Sequence, residues 1–306
     1  MIKVRASVII PTYNRLLDLQ RVIAVVGEQA GQLEGGIEIV VVDDGSSDGT
    51  WEWLSRRAAA SGFTVLRQPN SGPAVARNRG VETAVGEIVL FLGDDTVPQS
   101  GWLAAHLEEH RLFGSRGPMA TLGYTSFPPE SESPFRRFIN EYGAQFGYSI
   151  IEDPTEVPFN FFYTSNISLP RVILERLGGF LEDFPSAAWE DIEFAYRAVG
   201  EGLRLRYQPR ARTLHYHSVQ PRTFCRRQRT SGLSAAIFAG LHPELGNFLG
   251  LPRANRRPAL RRLRRPLLAV FVEFGEHFEG VVPGRIYKAF LDECYLEGLA
   301  EGLHSR

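Results

Sequence analysis

Two adjacent carboxylates, Asp94 and Asp95, follow an apolar run over residues 88–92, with Gly93 between the run and the acids. Neighbouring carboxylates repel, so an unneutralised pair is costly. A divalent cation removes that cost, and Mg2+ or Mn2+ is commonly held by one or two protein carboxylates together with substrate phosphate oxygens. A second pair, Asp43 and Asp44, closes the apolar run 37–42 and leads into Gly45-Ser46-Ser47-Asp48-Gly49-Thr50. A third acidic pair, Glu190-Asp191, precedes Ile192-Glu193-Phe194-Ala195-Tyr196-Arg197. Acids suit a helix's first turn, where backbone N–H groups point outward. His215 and His217 flank Tyr216, and strand alternation would set both imidazoles on one face. Imidazole suits Mn2+ better than Mg2+, so His215, with His217 as the alternative, is a candidate to join the acids. Each feature also has a plainer explanation: Gly-Asp-Asp-Thr is ordinary turn chemistry, Glu-Asp pairs cap helices, and surface histidines are common.

The elements that would position these groups alternate. Residues 4–11 read as a buried strand ending in Pro11-Thr12-Tyr13-Asn14-Arg15, after which Leu16, Leu19, Val22, Ile23 and Val26 recur at helical spacing. Further strands are expected at 37–42, 63–66 and 87–92, with helices at 51–60 and 74–84 between them. Four strand–helix alternations in under a hundred residues predict an α/β fold with a mostly parallel sheet covered on both faces. No Gly-x-Gly-x-x-Gly follows the first strand and no P-loop occurs, which disfavours a dinucleotide oxidoreductase or an NTPase. A nucleotide site built from strand-end acids remains.

Ser7-Val8-Ile9-Ile10-Pro11-Thr12-Tyr13-Asn14-Arg15, Val42-Asp43-Asp44-Gly45-Ser46-Ser47-Asp48-Gly49-Thr50, Ala76-Arg77-Asn78-Arg79-Gly80 and Phe91-Leu92-Gly93-Asp94-Asp95 occur in this order. Together they resemble the family 2 glycosyltransferases of the GT-A fold. The later half adds an Asn166-bearing strand over 161–170, the turn Leu177-Gly178-Gly179-Phe180 and the Glu190-Asp191 pair. The resemblance implies an inverting transferase that moves a sugar from a nucleotide-diphosphate sugar (UDP, GDP or dTDP) to a hydroxyl of a glycan, polysaccharide or lipid-linked acceptor. It implies that Asp44 or Asp43 meets the base, and that Pro11, Thr12 and Tyr13 wall the nucleoside slot. Arg15 and Arg77 would contact the nucleotide. Asp94 would lie near ribose and metal, Asp95 and His215 on a Mn2+ or Mg2+ ion. Asp191 would be the catalytic base, with Glu190 beside it. The family often has an acid where Gly93 stands. The alternatives are a nucleotide-sugar binding protein without catalysis and a nucleotidyltransferase. A Gly-rich, Lys- or Arg-bearing loop after the first strand would mark the latter, and Pro11-Thr12-Tyr13-Asn14 is not one.

The expected division is a catalytic domain over 1–219, with a nucleotide-binding half at 1–97 and an acceptor half at 98–219, and a C-terminal helical region over 220–306. Within 98–219, strands are expected at 119–127, 203–207 and 211–217, and the loops 128–134 and 152–159 are candidate lids. Past Val219, Arg222, Arg226, Arg227 and Arg229 are followed by Arg253, Arg256, Arg257, Arg261, Arg262, Arg264 and Arg265. Residues 267–278 and 286–303 carry helical apolar spacing, so a helical pair with a solvated arginine face is one reading. Contact of the segment from Arg253 to Arg265 with an anionic membrane is the other, and homo-oligomerisation stays open.

The 306 residues are 43% hydrophobic and 23% charged with a net charge of −1, so no global attraction to nucleic acid follows. Cys225 and Cys294 stand in unrelated contexts, which predicts no disulfide framework and a reducing compartment. Ile2 already enters the first strand and the run 267–272 is too short to span a bilayer. A cytoplasmic protein is expected, peripheral to the inner face of a membrane if the arginine segment binds lipid.

Overall fold

The computed structural model describes residues 5–184, 187–254, 258–277 and 282–305, without the side chains of 59–61, 258–262 and 276–277. The strands are β1 (Ala6–Thr12), β2 (Ile37–Asp43), β3 (Thr64–Arg67), β4 (Ile88–Leu92), β5 (Thr96–Pro98), β6 (Met119–Ser126), β7 (Asn166–Pro170) and β8 (Arg204–His215). The first helices are α1 (Leu16–Gly31), α2 (Thr50–Ser61), α3 (Pro73–Thr83), α4 (Trp102–Phe113), α5 (Pro134–Glu141) and α6 (Arg171–Leu177). They are followed by α7 (Glu190–Gly200), α8 (Pro221–Leu241), α9 (Leu251–Ala254), α10 (Pro258–His277) and α11 (Gly284–His304).

Two compact units result. The first comprises the described residues of Met1–Pro128, Ile151–Glu182 and Glu190–Tyr216; the second, those of Pro129–Ile150, Asp183–Trp189 and His217–Arg306. A single cut after residue 219 misses the two excursions, 129–150 and 183–189, because the chain enters the second unit three times.

All eight strands of the first unit form one mixed sheet in the order β3-β2-β1-β4-β7-β6-β8-β5. The β3-β2-β1-β4 half is parallel, β7 runs antiparallel to β4 and β6, β8 lies parallel to β6, and β5 closes the edge antiparallel to β8. The parallel strands are buried on both faces, which is why Val8, Ile9 and Ile10 are consecutive apolar residues rather than alternating ones. One face packs Val8, Ile10, Val41, Leu90 and Leu92 against Leu19, Val22 and Val26 of α1 and Trp102, Leu103 and Leu107 of α4. On the other, Phe91 meets Phe180 edge-on at 5.2 Å, and Phe180 meets Phe194 of α7 at 5.0 Å.

Three strand expectations change. Only 166–170 of the 161–170 segment pairs as a strand, because a short 3-10 turn precedes it. The strands expected at 203–207 and 211–217 are one strand, β8, whose register against β6 shifts between Gly123 and Tyr124. β8 ends at His215, so strand alternation does not relate His215 to His217, which belongs to the second unit. Val4, at the start of the first expected strand, lies outside the described residues.

In the second unit α8 and α11 touch backbone to backbone. A Cβ on Gly298 would fall 1.8 Å from the Arg229 carbonyl oxygen, and one on Gly232 would fall 2.1 Å from that of Tyr295. That crossing brings Cys225 of α8 and Cys294 of α11 together in a disulfide, although 69 residues separate them. The expectation of unpaired cysteines is thereby corrected, and with it the argument for a reducing compartment: sequence spacing does not reveal a pair made by a helix crossing. Phe135 of α5 packs its ring on Phe224 of α8 and Tyr287 of α11. Trp189 takes the left-handed conformation, φ 75°, which is rare for a bulky residue. Its indole donates to the Ser231 carbonyl at 2.9 Å, and its ring lies among Phe238, Phe248 and Tyr295. Among the described residues no helix is long and apolar enough to cross a membrane.

Candidate active site

β1 and β4 are parallel neighbours, so their C-terminal ends open at the same sheet edge, where open α/β sheets bind ligands. Thr12, the last residue of β1, donates its hydroxyl to Asp94 Oδ2 at 2.8 Å. Arg15 pairs through Nη1 with Asp95 Oδ2 and sets Nε 3.7 Å from Asp94 Oδ1. The antiparallel pairing of Thr96 with His215 brings β8 to the same place. There His215 Nε2 lies 3.3 Å from Asp95 Oδ1, and Tyr216 N donates to the Asp95 carbonyl at 2.8 Å. Burial, then the charge of Asp95, pushes the Asp94 carboxyl up to about 7, against the opposing pull of Arg15 and Thr12. A Cβ at Gly93 would fall 2.6 Å from Thr96 Oγ1, so an acid at this position would need Thr96 to move.

Among the described residues no group of three or more His, Cys, Asp or Glu side chains is arranged to hold a metal ion. The chemistry of the donors still fits a divalent cation. Two adjacent carboxylates and an imidazole stand at one strand end, and burial, then the charge of its neighbour, pushes one of the carboxyls towards its protonated form. Arg15 supplies the positive charge here. Asp95 and His215 would be the protein ligands, with the rest of the shell left to phosphate oxygens.

The Asp43-Asp44 pair is fully enclosed. Asp44 accepts from Gln68 Nε2 and Ser71 N at 2.8 Å and from Gly72 N at 2.9 Å, so its carboxylate fastens the turn that opens α3. Asp43 accepts from Ser46 N at 3.1 Å and lies 3.4 Å from Arg67 Nε, while its Oδ2 makes no hydrogen bond. Asn14, at φ 52°, accepts from Ser47 N at 2.7 Å and its own N–H donates to Ser46 Oγ at 2.9 Å. These bonds stitch the loop after β2 to the loop after β1. Pro11 lies half-buried in β1, and Tyr13, just beyond it, is 47% exposed.

Asp191 is held in the first turn of α7. Ile192 N donates to its Oδ1 at 2.9 Å, and Thr164 offers both N and Oγ1 to its Oδ2 at 3.4 Å. Burial, then Glu190, pushes its carboxyl up to about 7, with Arg77 opposing. Burial and Asp191 likewise push the Tyr163 phenol up. Glu190 and Arg77 were expected beside the reacting atoms and the nucleotide respectively. The structure pairs them with each other, Arg77 Nη1 donating to Glu190 Oε1 at 2.7 Å in a buried salt bridge. Arg77 Nε and Glu190 Oε2 are buried without a hydrogen bond.

Thr12, Arg15, Asp94, Asp95 and His215 are thus brought together, and Arg77, Glu190 and Asp191 form a second group. Thr164, Asn14 and Gln68 escape sequence reasoning. Only Asn14 carried a signal, since Asn tolerates the left-handed turn between strand and helix.

The family model for glycosyl transferase family 2 matches residues 7–164, just over half of the chain. The pre-mycofactocin glycosyltransferase of Mycobacterium tuberculosis is 29% identical over 242 residues, 78% of this chain and 48% of that protein. The validoxylamine A glucosyltransferase of Streptomyces hygroscopicus subsp. jinggangensis is 30% identical over 223 residues, 64% of this chain and 52% of that protein. The chain spans about half the length of these curated relatives. Among solved structures, the mannosyltransferase PcManGT from Pyrobaculum calidifontis, in complex with GDP-Man and Mn2+, superposes with a TM-score of 0.63 at 20% identity, covering 99% of this chain and 87% of that one. Staphylococcus aureus TarS gives 0.55 at 20%, covering 96% and 55%. The matched stretch begins in β1, takes in both strand-end acid pairs and stops at Thr164, and the sheet is of the GT-A kind, so the chain belongs to glycosyl transferase family 2.

Proposed function

We propose that this chain transfers a sugar from a nucleotide-diphosphate sugar to an acceptor hydroxyl, with inversion at the anomeric carbon and Asp191 as the base. One observation carries the reading: Asp191 is held by Thr164, and the next residue, Ser165, accepts a backbone hydrogen bond from Gly93, which leads directly into Asp94 and Asp95. The donor's diphosphate belongs at Asp94, Asp95 and Arg15, with the nucleoside against Pro11, Thr12 and Tyr13; the enclosed Asp43 and Asp44 shape the loop behind that slot. A divalent cation bound there supplies Lewis-acid stabilisation of the charge that builds on the leaving diphosphate. Asp95 and His215 would hold it, beside the Arg15 guanidinium that pairs with the two acids.

On the acceptor side, a hydroxyl is a poor nucleophile near neutral pH until its proton is taken by a positioned group. Asp191 takes that proton, and Arg77 restrains how far burial and Glu190 raise its affinity for one. The complexes of GDP-Man and Mn2+ with PcManGT, and of UDP-GlcNAc with TarS 1-349, favour donors of this class for the fold. A thermal-shift screen of UDP, GDP and dTDP with Mn2+ and with Mg2+ tests the reading. One nucleotide should raise the midpoint only in the presence of metal, by an amount that grows with the logarithm of its concentration. No metal-dependent shift with any of them would contradict it.

A further inference from the structure

The side of α10 that faces solvent is apolar. Leu263, Leu267, Val270 and Phe271 recur at helical spacing on one side of the helix and are 60–68% exposed, while Val272 on the opposite side is fully buried. Isolated exposed apolar side chains are ordinary, but a row of four along one helix marks a contact surface. The same segment is basic. Residues 245–272 contain Arg253, Arg256, Arg257, Arg261, Arg262, Arg264 and Arg265 and no Asp or Glu. Arg256 and Arg257 lie outside the described residues, as do the side chains of Arg261 and Arg262. Arg253 of α9 and Arg264 and Arg265 of α10 reach Asp292, Glu293 and Glu297 of α11, each keeping 40–55% of its side chain exposed.

We propose that α10 lies on an anionic lipid surface, with Leu263, Leu267, Val270 and Phe271 entering the headgroup boundary and the arginines meeting lipid phosphates. A basic helix with an exposed apolar face binds in this manner, through apolar burial plus attraction to acidic lipid. Charge selects the occupant. A lipid surface of opposite sign matches the arginine-rich segment, whereas a second copy would bring a like-charged segment against it. The surface is independent of the transfer reaction and stands whether or not that reaction is correct.

Flotation of the full chain with vesicles of equal parts phosphatidylcholine and phosphatidylglycerol tests it, with phosphatidylcholine vesicles as the neutral control. The chain should float with the acidic vesicles at low salt, and less with neutral ones. The double variant Leu267→Glu/Phe271→Glu, at exposed positions and with an unchanged circular dichroism spectrum, should partition at least tenfold less. Arg256→Gln/Arg257→Gln/Arg261→Gln/Arg262→Gln, which keeps the apolar row, should lose the preference for acidic vesicles. Absence of flotation at low salt, or flotation of the Leu267→Glu/Phe271→Glu variant equal to that of the parent, would overturn the proposal. So would a dimer in sedimentation that this double variant dissolves while neither protein floats, which would make the face an interface between copies.

Discussion

Gly93 donates its backbone N–H to the Ser165 carbonyl at 3.2 Å. That bond continues the β4–β7 pairing, in which Leu92 faces Asn166, one step past the end of the strands. It therefore joins the acid pair that follows β4 to the segment that precedes β7, and Thr164 in that segment holds Asp191. The proposed metal-side acids and the proposed base are parts of one hydrogen-bonded frame, although about a hundred residues separate them in the chain.

The protonation of Asp191 sets a pH dependence. Burial and Glu190 raise its carboxyl from 3.8 to about 7, so at pH 6 most of the folded protein carries it protonated and unable to act as a base. The specificity constant kcat/KM should rise about tenfold per pH unit up to about pH 7 and level off above it. The same shift acts on stability with the opposite slope. Between pH 3.8 and about 7 the folded state holds a proton that the unfolded chain has released. This contribution is complete below 3.8 and is lost as the pH rises through about 7. A rate unchanged from about pH 6 to 8 would remove Asp191 from the role of base.

Arg77 and Glu190 form a buried pair, and removing one partner strands the other's charge. Arg77→Met should cost about 3–5 kcal/mol in denaturant unfolding. Arg77→Met/Glu190→Met should cost less than the sum of the two single changes. Since Arg77 is the cation that opposes the rise of the Asp191 carboxyl, Arg77→Met should also move the rate profile to higher pH. A profile that stays in place would separate the pair from the chemistry.

Removing the metal should stop the reaction, and His215 should set which metal is preferred. Chelation followed by replacement should restore transfer with Mn2+ and with Mg2+. His215→Ala should weaken the response to Mn2+ more than that to Mg2+, because Mn2+ accepts imidazole more readily than the harder Mg2+. Equal losses with both ions would place His215 outside the shell.

Cys225 and Cys294 close a long loop across the crossing of α8 and α11. Cys225→Ser should lower stability by about 2–4 kcal/mol under oxidising conditions and change nothing after reduction. Identical unfolding curves for parent and variant without reductant would mean that the two thiols are not bonded in solution.

The parallel half of the sheet was legible in the sequence because buried strands are runs of apolar residues. Val8-Ile9-Ile10 and Val89-Leu90-Phe91-Leu92 announce themselves without any partner being known. The antiparallel half was harder. β7 keeps only five residues of its expected ten, and β8 fuses two expected strands through an irregularity that depends on β6. Acids were easy to identify as site candidates, but their partners were not, because the choice of partner is tertiary. Nothing in Ala76-Arg77-Asn78 says that the guanidinium will be committed to Glu190, or that the carboxylate of Asp44 will secure Ser71 and Gly72. The row from Leu263 to Phe271 has the periodicity of a packed helix, and only the fold reveals that it faces solvent.

Asp191→Asn, assayed for donor binding by calorimetry and for transfer in the same preparation, bears most directly on the proposed base. The variant should bind the nucleotide-sugar with an affinity close to that of the parent, because Asp94, Asp95 and Arg15 are untouched. Its transfer rate should fall about 10²–10⁴-fold, the usual contribution of a positioned base. Turnover close to the parent's, with binding intact, would contradict the assignment.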